Sequence, residues 1–130
     1  HTYMRNYEWD WIRYGKVFRE VAEPGARVAI CPAGAIVYFS HRGGVDLLGK
    51  VEPLVAHLAV SSRQAARSAC WRNAPGHNKG DDELVFETRK PEFARGKLPA
   101  KYKALYTKLK YRNTIFLVRK DTNLLRNPLL

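Results

Sequence analysis

Long hydrophobic runs are missing from this 130-residue chain. The longest apolar stretch, residues 28–39, is broken by Pro32 and Gly34 and falls short of the roughly 18–20 residues that cross a bilayer as a helix. No secretory leader is expected within these residues, because His1 runs directly into polar and aromatic sequence. Cysteine is scarce, with only Cys31 and Cys70. Two thiols can pair in an oxidising compartment, but sequence does not bring their Cα atoms within bridging distance. Two buried free thiols is the favoured reading. The four histidines (His1, His41, His57, His77) have no ligand spacing with either cysteine, so no metal is expected. There is no GxGxxG or Walker loop, and no serine–histidine–acid or cysteine–histidine arrangement stands out. No cofactor and no catalytic residue are assigned. Internal repeats and low-complexity tracts are also lacking.

The chain does have enough apolar (45%) and aromatic (12%) residues to build a core, which argues against disorder. At this length it reads as one domain, residues 1–130, burying roughly two-thirds of its unfolded surface. The net charge of +11 is unevenly placed. Residues 88–126 hold twelve Lys and Arg against Glu92 and Asp121, so this segment carries +10 and the rest is near neutral. Such a block attracts phosphate, nucleic acid or anionic lipid, at about 1 kcal/mol per basic residue near an anionic membrane. The alternative is a solvated basic face.

Tyr7, Trp11, Tyr14, Phe18 and Val21 recur at helical spacing and predict an amphipathic helix over 6–22, ended by Pro24-Gly25. The apolar run 27–31 reads as a buried parallel strand, 34–40 as a short helix, 41–44 as a loop and 45–48 as a second strand. Glu52-Pro53 starts a helix to about 59, and 63–72 is a further helical stretch. A polar turn-rich loop runs from Ala74 to Asp81. Asp81 or Asp82 caps a helix over 82–89 that Pro91 stops. Residues 92–95 read as a brief strand, 101–110 as a helix with lysines opposite Tyr102, Leu105, Tyr106 and Leu109, and 114–118 as a last strand. Residues 121–130 read as a fringe or the stub of a linker. The predicted fold is α/β, a small three- or four-stranded mostly parallel sheet flanked by helices.

Asp46 stands where an apolar strand residue is expected. A carboxylate at the end of a parallel strand points toward the crevice where α/β folds bind ligands; the alternative is a structural aspartate bonded to a neighbouring loop. Ser40 reads as a cap or turn residue. His77, Lys79 and Asp81 form a plausible acceptor or phosphate contact set in a glycine-flanked loop. Lys101, Lys103, Lys108 and Lys110 are the expected contacts to membrane or phosphate.

Two segments carry a family resemblance. Residues 33–49, AGAIVYFSHRGGVDLLG, are similar to the "AGxIxYYSxxxxIDxxG" segment found in the C-terminal extracytoplasmic domain of bacterial integral-membrane glycosyltransferases. These are the arabinofuranosyl-, mannosyl- and aminoarabinose-transferase-like proteins that use polyprenyl-phosphate sugars. Residues 75–92 follow most of that family's "GHxKxDGxYVLxRxPD" pattern, with Asp82 in place of a usual glycine, while Lys50 and Val51 interrupt its "GLxD" segment. The likeness covers about residues 8–95.

The resemblance implies a non-catalytic domain excised from a larger polytopic protein, at the extracytoplasmic (periplasmic) face of the cell membrane. It would help to position a lipid-phosphate-linked sugar donor or a glycan acceptor. Its partners would be the parent's transmembrane part, anionic lipid or the lipid-phosphate sugar, and the acceptor. Two other classes stay open: a basic nucleic-acid-binding module with Tyr102, Tyr106, Tyr111 and Phe116 as stacking rings, and a free-standing phospho-ligand-binding α/β protein. Nucleic acid is the less favoured partner.

Overall fold

The computed structural model describes residues 2–31, 34–59 and 79–126. Expectations for 63–72, for the loop around His77, and for Cys70 lie outside the described residues.

Helix α1 (Thr2–Val21) leads into β1 (Arg27–Ile30), α2 (Ala35–Ser40) and β2 (Gly43–Asp46). After α3 (Pro53–Ala56) the described chain continues with α4 (Asp82–Arg89), β3 (Phe93–Ala94), a 3₁₀ helix (Ala100–Leu105), β4 (Tyr106–Tyr111) and β5 (Thr114–Arg119). The strands form one five-stranded sheet in the order β2-β1-β3-β5-β4. β1 pairs in parallel with β2 and β3, while β5 pairs antiparallel with β3 and β4. The α/β class is as expected, but the sheet is larger and mixed rather than small and mostly parallel.

The extra strand comes from 106–111, expected to be helical. Tyr102, Leu105, Tyr106 and Leu109 do fall at helical steps, but from Tyr106 onward side chains alternate between the two faces as on a strand. Tyr106 packs with the cluster on one face of the sheet, while Leu109 and Tyr111 pack against the cluster on the other. β4 pairs residue for residue with β5, from Tyr106 opposite Arg119 to Tyr111 opposite Thr114. The two-residue turn, Arg112 and Asn113, has left-handed backbone at both positions (φ 44 and 59), the type I′ geometry that matches strand twist. Strand pairing outcompetes a helical pattern only 10 residues long.

The sheet has an apolar cluster on each face. On one, Tyr14, Val17, Phe18 and Val21 of α1 pack with Ile36, Phe93, Phe116 and Val118. The Phe18 ring meets Phe93 edge-on at 4.9 Å, and Tyr14 lies 4.8 Å from Phe116. Trp11 also packs against this cluster, while Tyr7, at the start of the stripe, remains 41% exposed. Gly15 lets α1 approach α2, because a Cβ there would sit 2.8 Å from the Ile36 carbonyl oxygen. On the opposite face Ala29, Val45, Val55, Val85, Phe86, Tyr102 and Tyr106 form the second cluster.

Three further expectations change. β2 starts at Gly43, inside the segment read as a loop, because Gly43 N–H bonds the Ala26 carbonyl at 2.9 Å and the strand pairs with β1 from Arg27 on. Residues 121–126 are not a fringe: Leu125 bridges to Ala22, Arg126 N–H reaches the Val21 carbonyl at 2.8 Å, and the Arg126 guanidinium meets Glu23 at 3.1 Å. Cys31, at the end of β1, is disulfide-bonded, and there is no free cysteine among the described residues. The free-thiol reading of Cys31 is therefore corrected. No described helix is long and apolar enough to cross a membrane.

Candidate functional site

Asp46 ends β2 and is 2% exposed. Its carboxylate accepts the backbone N–H of Leu48 at 3.0 Å, of Lys50 at 2.7 Å and of Val51 at 3.1 Å. The charge thus closes the loop after β2 rather than facing a crevice. That loop turns at Gly49, whose φ of 73 suits glycine, and a Cβ there would meet Val55 at 2.5 Å. Lys79 donates to the Ala56 carbonyl at 2.7 Å, at the end of α3. Asp81 caps α4, accepting Leu84 N–H at 3.1 Å. Each of these three side chains thus serves local backbone, and His77 lies outside the described residues. Ser40 is the turn residue expected, donating to the Val37 carbonyl and accepting from Arg42 N–H, both at 3.2 Å.

Two ion pairs that sequence gave no means of finding tie these elements together. Glu52, the cap of α3, accepts Arg89 of α4 at 2.5 Å. The Arg89 hydrogen bond holds the Glu52 carboxyl below its usual range, against the opposing effect of burial. Glu92 accepts both the backbone N–H (2.9 Å) and the guanidinium (3.1 Å) of Arg27. Burial pushes the Glu92 carboxyl up, and the Arg27 contacts outweigh it, so the net shift is downward.

The basic block is partly neutralised in three dimensions. Arg89, Lys101, Arg112, Arg119 and Arg126 each meet a carboxylate. Lys101 faces Glu87 at 3.3 Å with both side chains largely in solvent, a pairing of small net value. The Tyr102 hydroxyl also donates to Glu87; burial, then that bond, pushes its pKa up to about 12. Lys103, Lys108 and Lys110 have no acidic partner among the described residues. Lys108 and Lys110 share the face of β4 that carries Tyr106, so they emerge on the same side of the sheet as the 3₁₀ helix bearing Lys101 and Lys103. Ile115, opposite Lys110 in the hairpin, is 58% exposed, and Leu105 is 51% exposed. Three of the proposed stacking rings, Tyr102, Tyr106 and Phe116, are buried in the core.

A cleft of about 310 Å³ beside Tyr102 and Tyr106 has most of its polar groups committed. Tyr102 bonds Glu87, Tyr106 bonds the Pro91 carbonyl at 2.5 Å, and Arg119 bonds Asp121 at 2.6 Å. A second cleft, of about 260 Å³, differs. It is lined by Asp10, Arg13 and Tyr14 of α1, Arg95 after β3, and Asn113, Thr114 and Ile115 at the start of β5. Because β5 runs against β3, this is the carboxyl end of the parallel strands, where open α/β sheets bind ligands. Of these lining residues, Tyr14 and Thr114 have hydroxyl oxygens that are buried without a hydrogen-bond partner among the described residues. An unpaired buried hydroxyl costs about 1–3 kcal/mol.

Fold and geometry together define an α/β domain with a cationic hairpin face and an uncommitted cleft at the carboxyl end of its parallel strands. The chain belongs to the family described as domain of unknown function DUF8728, which matches residues 2–124. No curated protein and no solved structure matches it.

Proposed function

We propose that this chain is a binding domain that works outside the cytoplasm against an anionic surface, meeting it through the hairpin face of Lys103, Lys108 and Lys110. That face is the observation that carries the reading. Three lysines without acidic partners among the described residues lie with exposed Ile115 and Leu105, so cationic attraction and shallow apolar insertion act on one side of the sheet. The Cys31 disulfide favours an oxidising compartment. The parent enzyme rests on the sequence resemblance alone: an extracytoplasmic domain of a membrane glycosyltransferase, holding a polyprenyl-phosphate sugar donor or glycan acceptor near the bilayer.

A nucleic-acid role is the weaker reading, because buried Tyr102, Tyr106 and Phe116 cannot stack on bases. The test is flotation with vesicles of anionic and of neutral lipid. Lys103→Glu, Lys108→Glu and Lys110→Glu together should abolish flotation with anionic vesicles; flotation unchanged by the triple reversal refutes the reading. Lys101 is left in place so that its ion pair with Glu87 is undisturbed.

A further inference from the structure

We infer that the cleft at the carboxyl end of β1 and β3 is a binding site for a phosphate-class oxyanion, held by Arg95 with the hydroxyls of Tyr14 and Thr114. The argument starts from what is unspent. Tyr14 is 5% and Thr114 7% exposed, and neither hydroxyl has a hydrogen-bond partner among the described residues. Buried hydroxyls left this way are rare, because each forgoes the bonds it had in water. Two lining one cleft point to a ligand that supplies the missing acceptors.

Charge decides the kind of ligand. Arg13 is matched by Asp10 at 3.2 Å, so that pair adds no net charge. Arg95 has no acidic partner among the described residues; its guanidinium rests 5.5 Å from the Tyr14 ring centroid. The cleft therefore offers one uncompensated guanidinium, and two hydroxyls able to donate lie buried in the side chains that wall it. Burial holds the Tyr14 phenol protonated far above neutral pH, with Arg95 opposing that shift, so the phenol remains a donor. Tetrahedral phosphate oxygens match a guanidinium fork and two further donors. Binding would draw the guanidinium off the Tyr14 ring toward the ligand, open the wall over the two buried hydroxyls and give both a charged acceptor. The other cleft, with its hydroxyls committed to Glu87 and Pro91, lacks these features.

This site shares Ile115 with the lysine face but none of its lysines, and its test separates the two. Inorganic phosphate is titrated into the intact chain at constant ionic strength, with chloride as control, and binding is read by calorimetry and by thermal shift. Phosphate should raise the melting temperature beyond chloride. Arg95→Met, Tyr14→Phe and Thr114→Val should each weaken phosphate about tenfold or more, the loss of one charged hydrogen bond. Tyr14→Phe and Thr114→Val keep the shape of the side chain, and each should also raise the melting temperature of the ligand-free protein. No phosphate effect beyond chloride, whether free or on a lipid, overturns the assignment, as does unchanged affinity in both hydroxyl variants.

A soluble phosphomonoester and vesicles of phosphatidic acid distinguish the source. Binding of the soluble ester supports a free phosphate. Binding only to the vesicles, still lost in Arg95→Met, supports a lipid headgroup of the same chemistry. The triple lysine reversal should leave binding of inorganic phosphate intact.

Discussion

Replacing Asp46 by alanine distinguishes a structural carboxylate from a ligand-binding one. The wild-type side chain accepts three backbone N–H groups at 2.7–3.1 Å across the loop after β2. Each such bond to an ionised group contributes about 1.5–3 kcal/mol net, and water rescues part of the loss because Lys50 and Val51 are exposed. Asp46→Ala is therefore expected to cost roughly 3–5 kcal/mol. For a domain of this size that is a drop of about 10–15 °C in melting temperature. Asp46→Asn keeps one acceptor oxygen, placed to serve Lys50 and Val51, and turns an amide toward Leu48 N–H. One bond of three is lost, so about 1–2 kcal/mol is expected. Urea unfolding of both variants, with phosphate binding measured in parallel, supplies the numbers. A loss below about 1 kcal/mol for Asp46→Ala, or intact stability with abolished binding, would refute the loop-clamp reading.

Other predictions follow from the same geometry. Reducing the Cys31 disulfide should destabilise the protein by about 2–5 kcal/mol, read as a lower melting temperature in reductant, and native protein should show no reactive thiol at Cys31. Glu52 and Glu92 have depressed carboxyl pKa values in the folded state, so their contribution is present above the unfolded value of about 4.3 and lost as pH falls through the lower folded values. Urea midpoints should hold from pH 7 to 5 and fall below about pH 4, less steeply in Glu92→Gln; an identical acid limb in that variant would contradict the pairing with Arg27. Gly15→Ala forces a Cβ to 2.8 Å from the Ile36 carbonyl and should cost about 1–3 kcal/mol by chemical denaturation.

Local chemistry alone determined a good part of this molecule. The α1 stripe, the β1 run, the Asp81 cap of α4 and the β-branched β5 segment were legible because periodicity, capping and propensity act within a few residues. The structural alternative for Asp46 was legible as a possibility, but choosing it required knowing that the chain turns back to bring three amides to one carboxylate. Sequence could not reveal β4 as a strand, because its decisive partner, β5, lies across a turn and competes with a real helical spacing. Nor could it show that five of the twelve cations between 88 and 126 are paired, since Arg112 meets Glu20 and Arg126 meets Glu23 across the whole length of the chain. The cleft of Tyr14, Arg95 and Thr114 left no motif at all. Its three residues come from a helix, a strand end and a hairpin, and only the sheet order sets them side by side.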